Sequence, residues 1–480
     1  MVGCTLTLLA LSAFALGGAL AQHDQQVACY LGSWAVYRPG AGKFNIEDID
    51  PTLCTTLIYS FAGLNETTNN IKSLDPEYDI NKRAYEKFVN LKSLNPRLKV
   101  LMAVGGWTEG SKKYSAMAST SETRKIFIDS AVKFIQKHKF DGLDLDWEYP
   151  ANRGGVPEDK ENFVDLVKEL RKEFDKYGWM LTAALAAGKS TIETAYDIDE
   201  LAEELDFIHI MAYDYHGKWD GRTGHNAPLY SREDEPEDEK YLNVDATVKL
   251  YLDSGAPPHK LLLGVGLYGR TFLLSDITNP GISSPSLPTA FAGPYTREDG
   301  FLGYNEICEK QRTESGDWTV VWQEAHQAPY MYRDNMWVGY DDNFSLSLKV
   351  AYAQSLGLGG IMVWSIDTDD FTGTCAKNSI RFPMLRSINQ ALTMHAVKRP
   401  GATPTTTKPV TKKPIEIDID IDDDDDDIDL DVDNDLDDYK YNIDDSRTSS
   451  VGAEDGGGSS AITPALSILL ALLMTAAVAR

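Results

Sequence analysis

The run Phe140-Asp141-Gly142-Leu143-Asp144-Leu145-Asp146-Trp147-Glu148-Tyr149, closed by Pro150, constrains this chain more than any other segment. An apolar run alone would suffice for a buried strand, yet here acids recur at every second position. A strand sends alternate side chains to opposite faces. Asp144, Asp146 and Glu148 therefore share one face, and Leu143, Leu145 and Trp147 take the other. Carboxylates in such a row sit about 6.6 Å apart along the backbone, so burying them opposes full ionisation and raises at least one pKa. A protein can keep a carboxylic acid protonated near neutral pH in this way. An acidic edge strand would be the bland alternative, but edge strands rarely carry Trp, Leu and Tyr between their acids.

Seven further runs flank this one: Val27 to Gly32, Thr55 to Gly63, Lys99 to Trp107, Met180 to Ala187, Leu205 to Asp214, Leu261 to Arg270 and Gly359 to Asp370. Most are too apolar to face water on either side, as expected of parallel strands covered by helices. Segments with apolar residues at three- and four-residue steps intervene, among them Glu122 to Lys137, Glu161 to Lys176 and Ser345 to Ser355. Eight repeats of strand then helix predict an α/β fold, a (β/α)8 TIM barrel occupying residues 22–395. About 271–335, between strands seven and eight, is too long for one helix and carries aromatics in short runs.

The pattern Asp-Gly-x-Asp-x-Asp-x-Glu at a strand end resembles the signature of family 18 glycoside hydrolases, the chitinases and their lectin-like relatives. The resemblance implies that segment 271–335 is the small α+β insertion of the chitinase-like branch, forming one wall of a substrate cleft. It implies an endo-acting chitinase, retaining and substrate-assisted, that needs no metal or organic cofactor. Glu148 would protonate the glycosidic oxygen while the substrate's acetamido oxygen attacks the anomeric carbon, giving an oxazolinium ion. Asp146 would support the acetamido nitrogen, and Asp144 would share a proton with Asp146. Met211-Ala212-Tyr213-Asp214 matches the family's Met-x-Tyr-Asp motif, which places Tyr213 and Asp214 on the acetamido group.

Sugar rings present C–H faces that stack on aromatic side chains. Trp34, Trp107, Trp219 and Trp364 fall where the family lines its cleft, with Tyr30, Phe61, Met211, Tyr268 and Arg270 at neighbouring strand ends. Trp364 would be the floor beneath the reacting sugar. Thr108 stands where many relatives have Asn, which alters one hydrogen bond to the sugar.

Cys4 lies in an apolar stretch that ends in Ala19-Leu20-Ala21, read as a signal peptide over residues 1–21. Cys29, Cys54, Cys308 and Cys375 then remain, and in an oxidising compartment four cysteines allow three pairings. The resemblance favours Cys29 with Cys54 and Cys308 with Cys375. Sequons at Asn65 and Asn343 are candidates for glycosylation in a secreted protein. Residues 396–414 read as a Thr/Pro-rich linker. Residues 415–445 are Asp-rich; Glu416 to Asp445 holds 17 acids and one base, −16 of the chain's −27, and reads as disordered in isolation. Its dense oxygen donors suit Ca²⁺ or calcium mineral. Residues 446–480 combine small residues with an apolar tail, the layout of a glycolipid (GPI) anchor signal or a membrane helix. The chain is read as a monomer, extracellular or held at a cell surface or in a matrix. An acidic chain excludes a nucleic-acid partner. The rival readings are a chitin-binding lectin or matrix protein, disfavoured by Glu148, and an endoglycosidase acting on protein-linked glycans, disfavoured by the insertion.

Overall fold

The computed structural model describes residues 23–375 and 379–396. The expected signal peptide, linker beyond 396, acidic block and apolar tail lie outside these residues. Strands β1 (Gln26–Gly32), β2 (Thr56–Leu64), β3 (Ile71–Ser73), β4 (Lys99–Gly105) and β5 (Gly142–Asp146) come first. They are followed by β6 (Met180–Leu185), β7 (Phe207–Ile210), β8 (Leu261–Gly266) and, after an excursion, β14 (Gly360–Trp364). Eight of these pair in parallel in the order β1-β14-β8-β7-β6-β5-β4-β2, and β2 closes on β1. This is the expected TIM barrel; β3 adds outside it, antiparallel to β2.

Every residue of β5 is buried, because one face fills the barrel and the other meets the surrounding helices. Packing also dictates the strand next door. Gly105 of β4 pairs with Asp146, and a Cβ there would lie 2.0 Å from the Asp146 carbonyl oxygen; its φ of +123° likewise suits only glycine. The helix Ser121–His138 shows how the outer layer is specified. Thr120 caps it by accepting from Thr123 N–H, Lys139 ends it in a left-handed turn, and Phe127, Ile128, Ala131, Val132 and Ile135 form its buried stripe.

Strand seven differs from expectation. The run Leu261 to Arg270 is not one strand: it breaks at Leu267, whose N–H donates to the Trp364 carbonyl, and resumes as β9 (Tyr268–Leu273) in a second sheet. That sheet is antiparallel, in the order β10-β9-β13-β12-β11, with β10 (Phe301–Gly303), β11 (Thr319–Gln323), β12 (Ala328–Arg333) and β13 (Met336–Gly339). With the helix Tyr304–Thr313 it encloses Leu302, Ile307, Trp318, Met331, Val338 and Tyr340. The insertion thus runs from Tyr268 to Gly339, a few residues wider at each end than the sequence suggests. Both disulfides form as the resemblance implied, Cys29 with Cys54 and Cys308 with Cys375.

Candidate active site

The strand ends on one side of the barrel converge on the acidic row. Asp144 is the deepest member, fully buried. Its Oδ2 accepts from the Tyr30 hydroxyl of β1 at 2.7 Å and its Oδ1 from Thr182 of β6 at 2.5 Å. His209 of β7 stands 3.2 Å from Asp144 and 2.7 Å from the Tyr30 oxygen. Three strands thereby fix a carboxylate carried by a fourth.

Asp146 is equally enclosed, yet its Oδ1 has no hydrogen-bond partner. Burial first, then the neighbouring Glu148 and Asp144 charges, hold its carboxyl well above the usual range. Glu148 lies beyond the end of β5, not within the strand as its alternation suggested. Burial pushes it up to about 7; the Tyr149 hydrogen bond and the Arg153 charge pull it back, while Asp214 raises it further. Both acids are therefore shifted toward their protonated forms. Trp147 points the other way, donating to Ser111 Oγ at 2.7 Å and meeting Phe163 edge-on.

Tyr213 and Asp214 follow β7 in irregular chain, since β7 stops at Ile210. Asp214 takes a left-handed conformation, φ +60°, with its N–H on Asn226 Oδ1. Its Oδ1 accepts from Tyr268 Oη at 2.7 Å and Arg270 Nε at 2.6 Å. Because Tyr268 and Arg270 belong to β9, the insertion reaches into the site through this carboxylate. Tyr213 is buried, 6.0 Å from the Tyr268 ring, with its hydroxyl against Met362 Sδ. Met211 packs at the margin of the same cluster.

Aromatic side chains surround the acids. Trp364, at the end of β14, lies 5.8 Å from Phe61 in a stacked pair and 5.6 Å from Tyr30; Trp34 stacks on Phe61 at 6.0 Å. Trp107 and Trp219 are more than half exposed, each with an arginine over its ring: Arg153 at 3.5 Å and Arg270 at 5.3 Å. Thr108 is exposed on the short turn Trp107–Glu109. The fifteen residues expected at the cleft lie on barrel strands, on the loops that follow them, or on β9. Sequence reasoning missed Thr182, His209, Asn226 and Arg153. Thr182 and His209 come from other strands and Asn226 from farther along the loop after β7, and only Arg153, four residues past Tyr149, lay within reach of the motif.

Residues 26–369 match the family Glycosyl hydrolases family 18. The chain belongs to this family. It is 45% identical to Probable chitinase 2 of Drosophila melanogaster, over 82% of this chain and 86% of that protein, and 38% identical to mouse Chitotriosidase-1, over 81% and 82%. Among solved structures, Group IV chitinase of Ostrinia furnacalis in complex with allosamidin is 46% identical, with a TM-score of 0.75, covering 77% of this chain and 99% of that one. Human YKL-39, a pseudo-chitinase with retained chitooligosaccharide-binding properties, is 35% identical with a TM-score of 0.71, over 77% and 99%. This family 18 member is a glycoside hydrolase of the chitinase type.

Proposed function

We propose that the protein hydrolyses β-1,4-linked N-acetylglucosamine polymers internally, with retention of configuration and with Glu148 as proton donor. The observation that carries this reading is the Glu148 carboxyl itself, lifted by burial to about 7 beside Asp146, whose carboxyl burial also raises. It is an acid matched to neutral pH. A conventional retaining glycosidase would need a second carboxylate free to attack, and family 18 is among the exceptions in which the substrate assists. Asp214, the acid that approaches from the β7 side, is committed to Tyr268 and Arg270. The unpartnered Asp146 Oδ1 suits the acetamido N–H, whose hydrogen bond would orient the carbonyl oxygen toward the anomeric carbon. Tyr213 would bind that carbonyl and Asp214 the same sugar, over the Trp364 ring. Asp144, fixed by Tyr30 and Thr182, would take the proton it shares with Asp146, leaving Asp146 as the anion that offsets the positive charge of the oxazolinium. Water then opens this intermediate from the same face, with ionised Glu148 as base.

The test is Glu148→Gln assayed on N-acetylglucosamine oligomers with product anomers resolved by NMR. Cleavage should fall by at least about a hundredfold with binding retained, and the wild-type enzyme should release the β-anomer first. Retained turnover in the variant, or an α-anomer as first product, would overturn the assignment.

Two disulfides suit an oxidising compartment, in keeping with secretion. Asn343 is exposed at a helix start and Asn65 partly exposed in the β2–β3 turn, so both sequons are reachable for glycosylation. Among the described residues no helix is long and apolar enough to cross a membrane. The GPI anchor, the matrix role and Ca²⁺ or mineral binding by the acidic block rest on sequence outside the described residues.

A further inference from the structure

The turn after β5 returns a cation to the site. Between Pro150 and Gly155 the chain reverses through left-handed conformations at Ala151 (φ +58°), Arg153 (φ +50°) and Gly154 (φ +95°), unfavourable for the first two. A buried carboxylate holds the turn in place. Asp159 Oδ2 accepts from the N–H groups of Ala151 at 3.1 Å and Val156 at 2.9 Å, while its Oδ1 accepts from Ser115 Oγ at 2.7 Å. Arg153 is thereby folded back over Trp107, its guanidinium carbon 3.5 Å from the ring centroid. Its Nη1 donates to the Glu148 carbonyl at 2.9 Å and its Nη2 to the Trp107 carbonyl at 3.0 Å. One side chain covers one face of an exposed tryptophan and links the exits of β4 and β5.

We propose that Arg153 is a positioning residue for the hydrolysis, fixing Trp107 as a one-sided sugar platform and, from its hydrogen bond to the Glu148 backbone carbonyl, bringing positive charge to bear on the Glu148 carboxyl. This rests on the reading of Glu148 as the acid. Other groups facing that carboxyl are Asp146 and Tyr149 on its own segment, Tyr196 between the helices Lys189–Ala195 and Ile198–Glu204, and Tyr213 and Asp214 after β7, the latter paired with Arg270. Burial, the largest influence, raises Glu148, and the Tyr149 hydrogen bond followed by the Arg153 charge lowers it. That balance suits a group that must give its proton in the first step and take one in the second.

Arg153→Ala, Arg153→Lys and Glu148→Gln are compared by pH profiles of kcat/KM and by KM for N-acetylglucosamine oligomers. In Arg153→Ala the alkaline limb, which reports loss of the Glu148 proton, should move up by about half a pH unit, and KM should rise on the order of fivefold as the platform loosens. Arg153→Lys should return the limb toward wild type through its charge, while KM stays raised because an ammonium lacks the planar fork that stacks on the ring while donating to both carbonyls. An unmoved limb in a folded Arg153→Ala enzyme, or equal restoration of both parameters by Lys, would overturn the proposal. Activity surviving in Glu148→Gln would instead sink the acid assignment on which it rests.

Discussion

A carboxyl buried at 4% exposure between two other acids, as Asp146 is, can exist only where packing outweighs electrostatics. Asp146 shows this most sharply, since burial and two neighbouring acids raise it while one oxygen has no partner. Asp146→Asn keeps the volume but removes the carboxylate that offsets the positive charge developing on the acetamido group. We expect kcat to fall by roughly a hundredfold or more, with KM changed far less; steady-state kinetics on soluble oligomers would reveal it, and an unchanged kcat would remove the substrate-assisted mechanism. The alternation of acids made Asp144 and Asp146 legible from sequence, because period two is a local property of a strand. His209 and Thr182 were not legible. Their contact with Asp144 depends on which strands become neighbours across a barrel, and a single His or Thr in an apolar run carries no sign of it.

At the scale of elements, the eight strands were readable from apolar runs, but their ends were not. Strand eight was expected to reach Asp370, whereas β14 stops at Trp364 and Ile366–Thr368 forms a turn. The reason is Asp367. Fully buried, it accepts from Gly32 N–H at 2.8 Å and pairs with Arg38 Nη2 at 2.7 Å, while Arg38 Nη1 reaches the Asp367 carbonyl at 2.9 Å. This ion pair joins the turn after β1, which carries Trp34, to the turn after β14, which follows Trp364, and the two rings sit 6.2 Å apart. Arg38→Met should therefore strand a buried charge and cost about 3 kcal/mol of stability, measurable by denaturant unfolding. It should also raise KM for long oligomers with little change in kcat. Trp34→Ala should share the KM effect without the loss of stability, which separates the clamp from the platform it holds. Loss of kcat with unchanged KM in Arg38→Met would show that the clamp serves the acids instead.

For the molecule as a whole, the buried acids set a conflict between activity and stability that pH exposes. Glu148 and Asp369 are both raised to about 7, each chiefly by burial. A group whose folded pKa exceeds its unfolded value contributes stability fully below the unfolded pKa, and loses it as pH rises through the folded one. The window here runs from about pH 4 to 7. Above it the folded protein must hold ionised what it prefers protonated, at a cost for Glu148 of about 3 kcal/mol. The Gln variant removes this cost because it does not titrate. Glu148→Gln should therefore melt higher than wild type by roughly 4 °C at pH 8, and the gap should narrow towards pH 5, where wild-type Glu148 is largely protonated. Asp369, which accepts from the Met384 and Leu385 N–H groups at the start of the last helix, is unchanged in the variant and supplies a decline common to both proteins. Calorimetric scans at the two pH values decide the matter. A gap independent of pH would mean that the gain comes from packing alone, and that the site does not hold Glu148 protonated against solvent.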